Sequence, residues 1–355
     1  LVSIVVPVFN MGKSIENCVN SLQKQDYAHI EIILVDDGSL DNSFEQCKKM
    51  EMKDSRIRAF HTENRGSGPA RNYGITQARG RYVYFPDADD YLEPEAITTM
   101  VEAMGGGAFD LVVFGFRWVN QNGKVIRIKR YDDIQRDAVA IRKDYSDYMT
   151  TVSKYGIQGA PWNKFFDLKL IKQNHIEYPA LRRHQDEGFI ARYMCFATRV
   201  HFIENVLYTY YVNDLKKEWE KYPVDYIDAV IGLNDTRKDT ILRWNPDDSK
   251  THESIDKEYI CNIIKSLELS FSPKMRMNHS ARKVWLKDSV KKSGIRELKI
   301  PNGLGLYQRI MMKIIAVSDG EFLYIALILK VYIQKSAFFE MMRGILRYEG
   351  RGSVS

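Results

Sequence analysis

Ile30-Glu31-Ile32-Ile33-Leu34-Val35-Asp36-Asp37-Gly38-Ser39 joins a short aliphatic run to two carboxylates, a glycine and a serine. A run this short and this apolar, bounded by turn residues, reads as a strand buried on both faces of a parallel sheet. Gly38 permits a sharp exit, and Asp and Ser are natural caps for a following helix. The pattern recurs on either side. Val2-Ser3-Ile4-Val5-Val6 reads as a first strand, residues 57–60 as a third, and Tyr82-Val83-Tyr84-Phe85 as a fourth, ending in Pro86-Asp87-Ala88-Asp89-Asp90. Residues 111–114 form another. Between these strands, residues 13–24 carry Ile15, Val19 and Leu22 at helical spacing, and residues 41–52, 69–78 and 95–104 also read as helices. Pro94 suits a first helical turn, and Gly105-Gly106-Gly107 a stop. Strands alternating with helices imply an α/β fold with right-handed crossovers and a mainly parallel sheet. Ligands of such sheets bind beyond the carboxyl ends of the strands, where Asp36-Asp37 and Asp87 to Asp90 fall.

Downstream the alternation loosens. Asn120-Gln121-Asn122-Gly123 marks a hairpin between residues 116–119 and 125–128. The pattern then predicts helix to about residue 155, a loop over 156–163, a short helix over 164–173 and a helix over 186–196. Two strands follow at 199–202 and 206–212. From Asn213 the texture is helical and basic, so the expected domains are residues 1–213 and 214–355.

The 355 residues are 45% hydrophobic and 28% charged. Those globular values exclude a disordered chain, a collagen-like repeat and a disulfide-stapled miniprotein. The net charge of +6 is no argument for nucleic acid, and none is expected as a partner. The charge is uneven: residues 271–355 hold 16 Lys+Arg against 6 Asp+Glu (+10), and the remainder 36 against 40 (−4). Cys18, Cys47, Cys195 and Cys261 are scattered without a CxxC pair, against a zinc knuckle or redox motif, and suit a reducing cytoplasm. The chain opens on strand residues with no basic leader, and Leu1 is expected just inside the natural start. The longest apolar stretch, residues 322–333, includes Lys330 and falls short of the ~20 residues of a spanning helix.

Four constellations carry chemistry. In Asp87-Ala88-Asp89-Asp90, carboxylates two apart after a buried strand can hold a divalent ion against a phosphate; the same acids also suit helix caps. Val35-Asp36-Asp37-Gly38-Ser39 offers carboxylates to a base or ribose, or simply a capped connection. Asn64-Arg65-Gly66-Ser67-Gly68-Pro69-Ala70-Arg71-Asn72 places glycines and two arginines before a helix, as for a diphosphate or a flexible loop. It lacks the GKS/T ending of a P-loop. His184-Gln185-Asp186-Glu187-Gly188-Phe189 opens a helix with an acidic pair, which serves a general base or the helix dipole.

Taken together and in order, Pro7-Val8-Phe9-Asn10, Val35 to Ser39, Asn64 to Asn72 and Pro86 to Asp90 resemble a family 2 glycosyltransferase with the GT-A fold. That fold is a Rossmann-like, mainly parallel sheet flanked by helices, here followed by a C-terminal helical region. Trp162-Asn163-Lys164-Phe165 resembles a segment of bacterial members, and Gln185 to Phe189 the segment with the catalytic base. The likeness extends over about residues 2–212. It implies a nucleotide-sugar donor, most often UDP-linked, and inversion by single displacement. Pro7, Val8 and Asn10 would line the nucleotide pocket, Asp36 would bind the base edge, and Arg71 would approach base or phosphates. Asp87 would face ribose or metal-bound water, and Asp89 would ligate Mn2+ or Mg2+ directly. Asp186 matches the base, with Glu187 its local rival; Gln185 stands where the family often has Glu. Trp162 offers a face to a sugar ring or packs the loop into the core. Lys164 reaches an acceptor phosphate or solvent. Asp90 and Glu187 join these two as candidates on the sugar or acceptor side.

In the tail, Tyr307, Ile310, Met311, Ile314 and Ile315 recur at helical spacing, and Phe338, Phe339, Met342, Ile345 and Leu346 form another stripe, with Lys313, Lys330, Lys335, Arg343 and Arg347 among them. These stripes bury against the catalytic domain or a second subunit, or lie on anionic lipid. The resemblance favours a lipid-linked glycan acceptor in bacterial capsular, exopolysaccharide or cell-envelope polymer synthesis. The expected location is the cytoplasm, on the inner face of the membrane. Rival readings are a nucleotidyltransferase of sugar phosphates, whose glycine- and lysine-rich signature residues 5–13 lack, and a degenerate sugar-nucleotide-binding scaffold.

Overall fold

The structure, a computed structural model, describes residues 1–144, 156–157, 159–212, 222–244, 249–318 and 320–335. It divides into two compact units, Leu1–Lys217 with Gly232–Thr251, and Glu218–Ile231 with His252–Ser355.

The first unit is built on one sheet. Its strands are β1 (Val2–Val8), β2 (Ile30–Asp37), β3 (Ile57–Thr62), β4 (Tyr82–Tyr84), β5 (Tyr91–Leu92), β6 (Leu111–Val119), β7 (Val125–Lys129), β8 (Ile134–Asp137), β9 (Lys164–Asp167) and β10 (Arg199–Tyr211). They run in the order β3-β2-β1-β4-β9-β6-β10-β5, with β7 beside β6 and β8 beside β10. The aliphatic runs behave as their composition demands. β2 is buried at every position, and β1 at all but Pro7. The two pair in parallel from Val2 with Ile30 to Val8 with Asp36. β2–β3, β1–β4 and β6–β10 are also parallel, so the carboxyl ends of β1, β2 and β4 open on one side.

The helices α1 (Ile15–Gln23), α2 (Ser43–Lys53), α3 (Ser67–Gln77) and α4 (Ala96–Ala103) fill the connections. Ile15, Cys18, Val19 and Leu22 of α1 are buried in the core with Val2, Ile4 and Val6 of β1. α3 lies close to β1: a Cβ on Gly74 would stand 2.2 Å from Val5 Cγ1.

Three expectations change. The helix predicted over 164–173 is a strand, β9, followed by α6 (Leu168–Gln173). Phe165 and Phe166 are fully buried, and β9 runs antiparallel between β4 and β6; the Asp167 side chain then caps α6 by accepting from Leu170 N at 3.1 Å. The helix predicted to residue 155 begins later: β8 precedes α5 (Ala138–Lys143), capped by Asp137, and residues 145–155 lie outside the described residues. The two strands predicted at 199–212 are one, β10, whose register against β6 shifts between Phe202 and Tyr208. The helix of the fourth motif is α7 (Gln185–Met194).

The second unit is helical in its described residues. Its helices are α8 (Tyr226–Trp244) and α9 (Ser249–Leu269), each of which also contributes to the first unit, then α10 (His279–Ser293), α11 (Leu306–Val317) and α12 (Glu321–Lys335). Its core gathers Ile260, Ile263, Leu267, Leu286, Met311 and Ile315. Met311 and Ile315 are buried as their spacing predicts, but Ile310 of the same stripe is exposed. Leu306 and Val317 on α11 and Phe322, Ile325 and Leu329 on α12 are exposed as well, alongside Arg309 and Lys313. The stripe from Phe338 to Leu346 lies outside the described residues. No helix among the described residues is long and apolar enough to cross a membrane.

Candidate active site

The chain leaves β4 through Phe85 and Pro86 into a tight turn, in which Asp90 N donates to Asp87 O at 3.3 Å. Asp90 anchors this turn. It is 2% exposed, and it accepts from Tyr208 Oη at 2.7 Å and from Tyr211 N at 2.9 Å. Burial, then the charges of Asp87 and Asp89, push its carboxyl up to about 9. Asp90 therefore holds the turn from behind and stands apart from the walls of the nucleotide cleft.

Trp162 supports the same anchor. Its ring stacks on Tyr208 (4.8 Å, 9°) and Tyr210 (5.5 Å, 18°) and meets Phe116 edge-on, while its carbonyl accepts from Tyr84 Oη at 2.7 Å. The indole is thus a core residue, and the sugar-stacking expectation is corrected. Lys164 is corrected too. It is 2% exposed, with Nζ donating to Ala160 O and Asn163 Oδ1, each at 2.7 Å. Burial brings its ammonium down to about 7, against the opposing pull of Asp186.

Arg71, on α3, sits at the centre of the site with its side chain 3% exposed. Nη2 donates to Asp87 Oδ1 at 2.6 Å and Nη1 to Asp186 Oδ1 at 3.1 Å. Its guanidinium lies 5.4 Å from the Tyr178 ring centre, and that ring stacks on Phe189. Burial opposes its charge, but Asp186 and Asp87 outweigh burial and hold it firmly protonated. One buried cation therefore fixes the acidic turn after β4 to the first turn of α7.

Asp186 keeps 26% of its side chain exposed. Burial raises its carboxyl to about 6; Asp87 and Glu187 add to the rise, while Arg71 and Lys164 oppose it. Its neighbour Glu187 is engaged elsewhere, accepting from Arg237 Nη2 at 2.6 Å and lying 2.8 Å from His184 Nδ1. Burial alone would raise Glu187, yet Arg237 and His184 bring it down to about 2. The two acids thus have separate environments, one raised toward neutrality and partly open, the other held ionised in a pair.

Asp36 and Asp37 also divide. Asp36 is fully buried, with Oδ2 near His61 Nδ1 (2.7 Å) and accepting from Ser39 N, and with Oδ1 lacking a hydrogen-bond partner. Asp37 accepts from Arg65 N at 2.9 Å and Gly66 N at 2.8 Å, pinning the glycine loop before α3. Gly38 (φ 68°) has no room for a side chain, since a Cβ would lie 2.7 Å from Asn64 N. Asn10 accepts from Leu40 N through its side chain, tying the exit of β1 to that of β2.

Pro7, Val8, Arg71, Asp87, Asp89 and Asp186 meet around a cleft of about 320 Å3. Asn10, Asp36, Asp90, Trp162, Lys164 and Glu187 stand outside its walls. Phe9, Met11, Asp37, Ser67, Ala88 and Gln185 complete it, with Gln185 Nε2 donating to Ser67 Oγ at 2.8 Å; nothing in their spacing marks Asp37 over Asp36 or joins Ser67 to Gln185.

The family model for Glycosyl transferase family 2 matches residues 3–166. Glycosyltransferase GlyG of Streptococcus pneumoniae serotype 4 is 33% identical over 59% of this chain and 70% of its own length. Putative glycosyltransferase EpsH of Bacillus subtilis is 30% identical over 66% of this chain and 67% of its own. The crystal structure of S. aureus TarS residues 1–349 in complex with UDP superposes with a TM-score of 0.62 at 20% identity, covering 94% of this chain and 92% of that one, which identifies the fold. These matches set aside the nucleotidyltransferase and inert-scaffold readings: with a GT-A sheet and a cleft at the ends of β1 and β4, this chain belongs to glycosyltransferase family 2.

Proposed function

We propose that the protein moves a sugar from a nucleoside-diphosphate sugar, UDP-linked, to a hydroxyl of a lipid-linked glycan, with inversion, a divalent cation and Asp186 as base. The observation that carries this reading is the joining of Asp87 and Asp186 through Arg71 at one cleft.

In the single displacement, the acceptor oxygen bonds to the anomeric carbon as the bond to the diphosphate oxygen breaks, and the hydroxyl proton passes to Asp186. A carboxyl near 6 is ionised at neutral pH yet basic enough to take that proton. Pro7 and Val8 line the nucleotide end, and Asp37 holds the glycine loop beside it.

The acidic turn fits a divalent cation. Asp87 and Asp89 border the cleft together, and their combined charge is felt at Asp90. Asp89 and Asp87 would hold Mn2+ or Mg2+ beside the donor's diphosphate. Such an ion stabilises the departing diphosphate without proton transfer.

The exposed apolar residues of α11 and α12 beside Arg309 and Lys313 support a resting place on anionic lipid at the inner face of the membrane. Flotation with phosphatidylglycerol vesicles checks this; recovery unchanged in Leu306→Ser/Phe322→Ser sinks it. The central test is turnover of UDP-sugars with Mn2+, by wild type, Asp89→Ala and Asp186→Asn. The reading requires both variants to lose transfer, and Asp186→Asn transferring at the wild-type rate would overturn the base assignment.

A further inference from the structure

Asp89 borders a second cavity besides the nucleotide cleft. This one measures about 460 Å3 and is lined by Ser14, just before α1, and Asn17 and Asn20 of α1, together with Asp89, Tyr91 and Tyr211. Its size is that of a small-molecule site, roughly 300–1,000 Å3.

The lining mixes apolar surface with polar groups and is balanced in charge. Lys24, at the end of α1, offsets Asp89. Asp90 also borders the cavity, but both its oxygens are engaged by Tyr208 and Tyr211. A phosphate finds one lysine facing carboxylates there, and a wholly apolar ligand would cover the amides of Asn17 and Asn20 and the charges of Lys24 and Asp89. Neutral hydroxyls fit. Asn17 and Asn20, three apart, share a face of α1 and are exposed. Each amide offers two donors and an acceptor, which neighbouring hydroxyls of a sugar ring can satisfy. Tyr91 and Tyr211 add aromatic rings with apolar faces and polar tips.

We infer that this cavity binds one pyranose ring of a substrate, gripped by Asn17 and Asn20, with Asp89 on the border it shares with the nucleotide cleft. The ring is either the donor's sugar or a residue of the acceptor glycan. The inference rests on the glycosyl-transfer reading above.

The test variant is Asn17→Ala/Asn20→Ala. Both positions are exposed on a helix, where alanine favours the fold. In the first arm, calorimetry with Mn2+ compares UDP and GDP with UDP-glucose, UDP-GlcNAc and GDP-mannose. If the donor's sugar occupies the cavity, the variant binds the bare nucleotides as wild type does and the preferred sugar nucleotide roughly tenfold more weakly, the loss of two neutral hydrogen bonds. In the second arm, UDP and Mn2+ fill the cleft, and saturation-transfer NMR follows methyl glycosides of glucose, galactose, mannose and GlcNAc. If the acceptor occupies the cavity, a wild-type signal disappears in the variant. The inference is overturned if the variant alters neither arm. A wild type that binds bare nucleotides but no sugar nucleotide, and no glycoside, removes the donor reading and the inference with it.

Discussion

Replacing Arg71 by methionine probes the centre of the site. Methionine keeps the volume of the buried stem, so the packing penalty is small, and the effect isolates the guanidinium. Breaking a fully buried ion pair by removing one partner destabilises by about 3–5 kcal/mol. Arg71 is 3% exposed, but Asp87 and Asp186 keep 32% and 26%, and water reaching them screens their mutual repulsion. The lower end, about 3 kcal/mol, is therefore expected, which in a unit of this size lowers Tm by roughly 6–12 °C. Circular dichroism melts measure it. A second readout is chemical. Arg71 opposes the rise of the Asp186 carboxyl, so its removal moves that carboxyl further up, and the acid limb of kcat/KM shifts to higher pH. A variant melting within about 2 °C of wild type, less than 1 kcal/mol, with an unmoved acid limb would refute the bridging role.

In the wild type, kcat/KM for transfer should fall as pH drops through about 6, because the base works deprotonated and its carboxyl is raised to about 6; a flat profile from pH 7 to 5 would count against Asp186. Glu187 is depressed from 4.5 to about 2, so its contribution to stability is present above about 4.5 and is lost as pH falls toward 2. Glu187→Gln should flatten the acid end of a urea-midpoint profile while destabilising at neutral pH by about 3 kcal/mol, and an unchanged acid slope would contradict this. Gly74→Ala drives a methyl to 2.2 Å from Val5 Cγ1 and should lower stability by about 1–3 kcal/mol. Adding Val5→Ala should recover part of that loss in thermal melts, and strict additivity would mean the contact is not the cause.

The parallel half of the sheet is legible in the chain because strands buried on both faces need unbroken aliphatic runs, and β1 and β2 have them. The acidic and glycine-rich turns are legible for a related reason: loops at the carboxyl ends of such strands are where polar residues have function. What escapes is whatever depends on distant partners. Arg71 and Asp186 are 115 residues apart, and no local period announces that one clamps the other. Lys164 looks like a loop lysine until Phe165 and Phe166 draw it into the sheet. Asp36 and Asp37 are adjacent and alike in composition, yet alternation along β2 sends one carboxylate to His61 and the other to the glycine loop.

β9 has a consequence for the order of synthesis. Residues 1–84 supply the parallel set β3-β2-β1-β4, while β6 is made later, and the two reach each other only through the four residues Lys164–Asp167. A growing chain therefore carries a bare hydrogen-bonding edge on β4 until residue 167 has left the ribosome, and bare edges on both sides of β6, of which the one facing β10 closes only after Tyr211. Unpaired edges of this kind recruit foreign strands. Premature termination anywhere between the hairpin of β6 and β7 and the end of β9 would release a chain with sticky borders on β4 and β6, so aggregation during translation should peak in that window.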